Sequence, residues 1–329
     1  MSHEASIPYA LLTPDVILDA IESRGFVCSG SFLALNSYEN RVYQIGLEEA
    51  EPMIAKFYRP ARWTEATILE EHQFAHELAA LEIPVVAPWR DQSGQSLFMH
   101  HDFRFALFKR QGGRALELDS LEHLAWMGRF IGRLHAVGAV KDFQHRPTLN
   151  VDTYGHKALA LLKASELIPA HLRAGYFATA NALLKKIQQC FAQVTPLQVI
   201  RLHGDTHAGN VLWRDTGPHM VDLDDCLMGP AIQDMWMLLS GDDEQMTIQL
   251  NAILKGYREF HDFNRCELNL IEALRSLRML HYSAWLAKRW DDPAFPLSFP
   301  WFNTTVYWQE QWVNLQEQCV LLDQVLSQY

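Results

Sequence analysis

The spacing of apolar and polar positions changes character along the chain, and the changes mark its elements. In "TPDVILDAIESRG", Val16, Ile17, Ala20 and Ile21 fall on one helical face. Thr13 can cap this helix, Pro14 and Asp15 suit its first turn, and Gly25 can end it. From about Ser31 the pattern shortens to the β-prone segments "FLALNS", "NRVYQIG" and "PMIAKFY", which predict an antiparallel meander. "TEATILEEHQFAHELAALEI" returns to helical spacing through Ile68, Leu69, Phe74, Leu78 and Leu81, with Pro84 as its stop. Three further strand-like pieces follow, "VVAPWR", "SLFMHH" and "FRFALFKR", and then Gly112-Gly113, the best linker candidate.

Beyond the double glycine the pattern is mainly helical: "SLEHLAWMGRFIGRLHAVG", "AHLRAGYFATANALLKKIQQCFAQV", "GPAIQDMWMLLSG", "MTIQLNAILKGYREF", "IEALRSLRMLHYSAWLAKRW" and "WQEQWVNLQEQCVLLDQVLSQ". One β-prone island, residues 201–225, interrupts the helices. The expected fold class is therefore α+β, with a small β-rich lobe over residues 1–111 and a larger α-rich lobe over 112–329.

Composition narrows the function. The 329 residues are 49% hydrophobic and carry a net charge of −11, which gives a globular chain without a broad basic surface for nucleic acid. The start "MSHEASIPYALLTPD" lacks a basic, apolar leader and no window suits a membrane span, so a cytoplasmic location with no membrane partner is expected. Cys28, Cys190, Cys226, Cys266 and Cys319 are far apart and odd in number, which predicts reduced thiols in or near the core.

The β-prone island holds the chemistry. In "RLHGDTHAGNVLWRDTGPHMVDLDD" a buried strand leads into a polar loop, followed by two strands joined by the four-residue turn "DTGP". Pairing Arg214 with His219 sets Val211 opposite Asp222, so Asn210 and Asp222 become cross-strand neighbours roughly 5 Å apart. A carboxamide and a carboxylate form a hard-oxygen set suited to Mg²⁺ shared with phosphate oxygens. Asp205 lies upstream on a loop that Gly204 and Gly209 allow to turn tightly, as a candidate base. Asp224 and Asp225 read as solvated loop carboxylates in preference to one of them touching a second metal ion. His203 and His207 alternate with Asp205 and admit a rival reading, a transition-metal hydrolase, but structural histidines fit the isolated motif better.

The strings "HGDTHAGN", "VDLDD" and "GPAIQD" resemble the aminoglycoside phosphotransferase and choline kinase branch of the protein-kinase-like fold. "LNSYENRVYQI", "AKFYRP", "LEEHQFA" and "WDDPAFPLSFPW" resemble the bacterial stress-response serine/threonine kinases of that family, and the likeness runs from about residue 11 to 310. The resemblance implies a two-lobed kinase that uses ATP and Mg²⁺. Its acceptor would be a serine or threonine hydroxyl of a protein, the chain itself included, or alternatively a small hydroxyl compound of the choline, homoserine or aminoglycoside type.

It also implies roles. Asp205 positions the acceptor hydroxyl, and Asn210 and Asp222 hold the metal, with Asp222 also counted as catalytic. Lys56, a charge amid the apolar "MIAKFY", holds the α- and β-phosphates, oriented by Glu71 with Glu70 as competitor. Ser37 stands where a glycine-rich loop is missing and contacts phosphate, and "FALFKRQGG" meets adenine. Asp234 braces the catalytic loop. Trp285, Trp290, Trp301, Trp308 and Trp312 read as packing in preference to an aromatic box, and Arg275, Arg278, Lys288 and Arg289 read equally as a guide for an acidic substrate or as a solvated helix face. The short run from Asp222 to Asp234 leaves little room for an activation loop and favours a small acceptor, whereas the extended likeness favours a protein.

Overall fold

The computed structural model describes residues 8–327. Helix α1 (Pro14–Glu22) starts at Thr13, whose side chain accepts from the Val16 amide. It precedes strands β1 (Cys28–Ala34), β2 (Arg41–Leu47) and β3 (Met53–Phe57), helix α2 (Glu65–Ala80), and strands β4 (Phe98–His100) and β5 (Phe103–Lys109). The five strands form one antiparallel sheet in the order β1-β2-β3-β5-β4.

The two-residue period of β3 sorts its side chains between two tasks. Met53, Ala55 and Phe57 join Ile45, Phe105 and Leu107 in a buried cluster under Ile17, Ala20 and Ile21 of α1. Ile54 and Lys56 point the other way, into a cleft. In the register, Lys56 stands between Val42 of β2 and Ala106 of β5, so the lysine is fixed by two flanking strands.

The remaining elements are α3 (Leu121–Gly138), α4 (Lys157–Ala164), α5 (Ala170–Gln193), β6 (Ile200–Leu202), β7 (Val211–Arg214), β8 (Gly217–Met220), β9 (Leu227–Gly229), α6 (Gln233–Trp236), α7 (Asp243–Tyr257), α8 (Ile271–Arg289), α9 (Ala294–Ser298) and α10 (Thr305–Leu326). Their largest cluster centres on the apolar faces of α3, α5 and α8 and also takes in Phe74, Ala75 and Leu78 of α2. Helix α2 thus belongs to the β-rich lobe by sequence and packs on the helical lobe by one face. Among the described residues no helix is long and apolar enough to cross a membrane.

Several expectations need correction. "VVAPWR" forms no strand, only isolated bridges from Val85 to Met220 and from Pro88 to Phe108, because Pro84 and Pro88 have no amide proton to offer a ladder. "GPAIQDMWMLLSG" is helical only over the four residues of α6. The turn of the β7–β8 hairpin is Asp215-Thr216, with Arg214 opposite Gly217 and Val211 opposite Met220, so the expected four-residue turn is two residues long. Gly112-Gly113 is no loose linker. Arg114 and Trp213 exchange backbone hydrogen bonds of 2.9 and 2.8 Å, and a Cβ on Gly113 would stand 2.7 Å from that of Leu212. Cys266 is exposed, outside the core.

Candidate active site

A cleft of about 350 Å³ opens between the sheet and the β7–β8 hairpin. Val42, Ile54 and Phe108 form its apolar roof, Leu212 and Leu223 its floor, and Ser37 stands at its lip. Lys56, Glu71, Asn210 and Asp222 gather at one end. An apolar slot with polar groups converging at one end suits a ligand with a flat ring and an anionic tail.

Lys56 is buried, with its Nζ 3.0 Å from Asp222, 3.3 Å from Asp224 and 3.5 Å from Glu71. Burial acts against its charge, but the three carboxylates outweigh burial and hold the ammonium pKa well above the ordinary lysine value. Glu71 is the least well satisfied of the three: its Oε2 has no hydrogen-bond partner, and burial pushes its carboxyl up to about 7 against the pull of Lys56. Glu70, one residue earlier, points elsewhere and accepts from the amides of Gln144, His145 and Arg146 at 2.5, 2.7 and 2.9 Å.

Asp224 is not a solvated loop carboxylate. It is buried, accepts from Asn40 at 3.0 Å and from Arg62, and faces Lys56. Burial alone would raise its pKa, yet Arg62, Lys56 and Arg146 hold it below the usual carboxylate range. Asp225 is exposed, with an oxygen 2.5 Å from Arg62.

The catalytic-loop candidate is built around Asp234. Its two carboxylate oxygens accept from the amides of His203 and Gly204, each at 2.8 Å, and it meets His135 Nε2 at 3.0 Å. Gly204 has φ +85°, and a Cβ there would lie 2.4 Å from the Asp225 carbonyl, so the turn requires glycine twice over. Beyond it, Asp205 pairs through Oδ1 with Arg278 at 2.9 Å and through Oδ2 with His207 at 3.3 Å. Desolvation works to raise Asp205, but His207 and Arg278 prevail and keep it ionised well below the usual range. The Asn210 amide nitrogen donates to the Asp205 carbonyl at 2.9 Å, leaving its carbonyl oxygen for the cleft.

The Val221 amide donates to the Asn210 carbonyl at 3.0 Å, which extends the hairpin ladder by a step and puts Asp222 just past it. Asp222 itself has φ 61° and ψ 72°, a left-handed conformation costing a non-glycine residue on the order of 1 kcal/mol. Such strain is retained where the side chain's direction matters. The carboxylate is 55% exposed and turned toward Lys56 and the cleft. His203 Nε2 meets the Val221 carbonyl at 3.0 Å, and no group of three His, Cys, Asp or Glu side chains suited to a metal exists among the described residues, which leaves the hydrolase reading without a ligand set.

On the far side of Asp205 a second cleft of about 210 Å³ is lined by Arg62, Tyr154, Arg278, His281, Tyr282 and Trp285, among others. The tryptophans do not form one aromatic box. Trp308 is fully buried, Trp290 and Trp312 pack on the core, Trp301 is largely exposed, and Trp285 alone of the five lines this cleft. Nor is the basic set one solvated face: Arg278 holds Asp205, Arg289 holds Glu39 and Arg275 holds Glu272, while Lys288 is exposed. Sequence reading missed Asn40, Arg62, Arg146, His135 and the contact of Arg278 with Asp205, since each acts on a partner distant in the chain. The only local signal was Arg59 and Arg62 beside the tyrosine of "AKFYRPARW".

A β-rich lobe carrying a buried lysine-glutamate pair, set over a helical lobe carrying the Asp205 loop and the β7–β8 hairpin, is the arrangement of a kinase-like fold. The chain belongs to the phosphotransferase enzyme family, whose model matches residues 31–294. It is 44% identical to stress response kinase A of Shigella flexneri over 98% of this chain and 97% of that protein. It is 42% identical to serine/threonine protein kinase RdoA of Salmonella typhimurium over 97% and 96%. Among solved structures, amicoumacin kinase hAmiN in complex with AMP-PNP, Ca²⁺ and Ami superposes with TM-score 0.72 at 19% identity, covering 95% of this chain and 96% of that one. The microcompartment-associated aminopropanol kinase gives 0.71 at 17%, covering 96% and 98%.

Proposed function

We propose that the protein transfers the γ-phosphoryl group of ATP to a serine or threonine hydroxyl of a protein substrate, itself included, with Mg²⁺ as the metal. The convergence of Lys56, Glu71 and Asp222 at the inner end of an apolar cleft, with Asp205 on the opposite side of the same loop system, carries this reading. The near full-length identity to proteins named as stress response and serine/threonine kinases supports the protein acceptor.

In this reading the adenine enters between Ile54 and Leu212 near "FALFKRQGG", and Lys56 exchanges Asp222 for the α- and β-phosphates while Glu71 keeps it oriented. Ser37 hydrogen-bonds phosphate from the lip. The Asn210 carbonyl oxygen and the Asp222 carboxylate, both facing the cleft, are hard oxygen donors suited to a divalent ion and would hold Mg²⁺ once Lys56 has turned from Asp222 to phosphate. Bound there, the ion neutralises phosphate charge. Asp205, kept ionised, accepts a hydrogen bond from the acceptor hydroxyl. As the hydroxyl oxygen bonds to the γ-phosphorus, the bond to the β,γ-bridging oxygen breaks, the proton passes to the Asp205 carboxylate and ADP departs.

A small hydroxyl compound is the second reading. The modest volume of the acceptor-side cleft and the short run between Asp222 and Asp234 favour it. Transfer of label from γ-labelled ATP to generic proteins and to the chain itself, set against choline, homoserine and an aminoglycoside, separates the two. Label appearing only on a small compound would overturn the protein acceptor, and label on neither, from any ATP concentration, would overturn the kinase reading.

A further inference from the structure

Two motifs near opposite ends of the sequence, "LNSYENRVY" and "WDDPAFPLSFPW", meet across the lobes. Glu39, in the loop between β1 and β2, is buried and accepts from Trp285 Nε1 at 2.6 Å and from Arg289 at 2.6 and 3.0 Å, both donors on α8. The neighbouring Tyr38 packs on Phe299, with ring centroids 4.7 Å apart. Just after β3, Arg59 reaches Asp292 at 2.5 Å, and its amide donates to Asn40, which in turn donates to Asp224. The loop over the phosphate end of the cleft is thus fastened to the helical lobe on both sides.

This arrangement differs from a flexible glycine-rich cover. A segment without glycines cannot bring its backbone close to phosphate by its own freedom and must be placed from outside. Asn36 and Ser37, which border the nucleotide cleft, are separated from the anchored pair Glu39-Asn40 only by Tyr38, itself packed on Phe299. Desolvated ion pairs held by a bidentate guanidinium and an indole N–H fix direction as well as distance. We infer that Glu39 is a positioning residue for nucleotide binding, acting through an interlobe strut to Trp285 and Arg289 that sets the Asn36-Ser37 lip in place before ATP arrives. The inference rests on the ATP reading proposed above.

Arg289 does not border the nucleotide cleft, so its effect on nucleotide must travel through Glu39. The test is calorimetric titration of the full chain with Mg²⁺ and a non-hydrolysable ATP analogue, in wild type, Glu39→Gln, Arg289→Ala and the double variant. Amide exchange of residues 35–41 is followed alongside. Each single variant should weaken binding about tenfold, the double variant should be no weaker than the worse single, and exchange in the loop should quicken in all three. Trp285→Phe, which keeps the ring and removes the donor, replaces Arg289→Ala if that variant does not fold. Binding within about twofold of wild type with loop exchange unchanged, or losses that add in the double variant, would overturn the strut. A wild-type chain that binds no nucleotide overturns the ATP reading and this inference together, whereas wild-type binding indifferent to Arg289 and Trp285 overturns this inference alone.

Discussion

The ammonium of Lys56 on β3 stands 3.0 Å from the carboxylate of Asp222, 166 positions later in the chain, and this contact joins the two lobes at the inner end of the cleft. It concentrates three carboxylates on one buried cation. Lys56→Met therefore leaves the buried Glu71 without its cation and weakens the compensation of Asp224. We expect a loss of roughly 2–4 kcal/mol of stability, read from the urea midpoint, together with loss of phosphoryl transfer. Unchanged stability would mean that Arg62 and Arg146 neutralise the cluster unaided.

Adjacent glutamates on α2 should separate cleanly. Glu70→Ala removes the acceptor for three consecutive amides at residues 144–146 and should cost about 1–3 kcal/mol of stability while nucleotide affinity stays near wild type. Glu71→Gln should do the reverse, lowering turnover at least tenfold with little loss of fold, because its carboxyl is incompletely paired in the first place. Thermal melts and steady-state kinetics on both variants check the assignment.

The helical phase of α2 explains why sequence alone left these two glutamates open. Neighbouring positions on a helix differ in direction by about 100°, and only the placement of α2 behind β3 decides which one meets Lys56. The elements themselves were legible: the sheet strands and the main helices follow from periodicity and turn residues. What escaped were relations across the lobes. Asp224 is buried against Arg62 and Asn40, and Trp213 of β7 bridges to Arg114, contacts that join residues far apart in the chain.

Asp205 should act as an ionised group throughout the neutral range. His207 and Arg278 depress its carboxyl, so wild-type kcat/KM should show no acid limb from Asp205 between pH 5 and 8. Removing the cation in Arg278→Ala raises that carboxyl and should move the acid limb to higher pH. Asp205→Ala should reduce turnover by a factor of about 10³ or more with nucleotide binding nearly intact. A pH profile of Arg278→Ala identical to wild type would show that the 2.9 Å contact does not set the ionisation of Asp205.

Glu267 gives a pH dependence of stability away from the cleft. It is buried, accepts from the Ile232 amide at 3.1 Å, and burial pushes its carboxyl up to about 7 from 4.5. With the folded pKa above the unfolded one, the folded state binds the extra proton between these values. Stability from this group is therefore present at low pH and lost as pH rises through about 7, by at most about 3 kcal/mol. Glu267→Gln, which keeps an acceptor for Ile232, should flatten the fall in melting temperature between pH 5 and 8.

Melting the wild-type chain with and without saturating Mg²⁺ and ATP, beside Lys56→Met, tests most directly whether the lobes enclose a nucleotide. At a hundredfold excess over Kd, wild type should gain about 2.7 kcal/mol, seen as a rise of several degrees, and the variant should gain little. No rise in wild type, or an equal rise in Lys56→Met, would contradict a nucleotide site built on the Lys56 cluster.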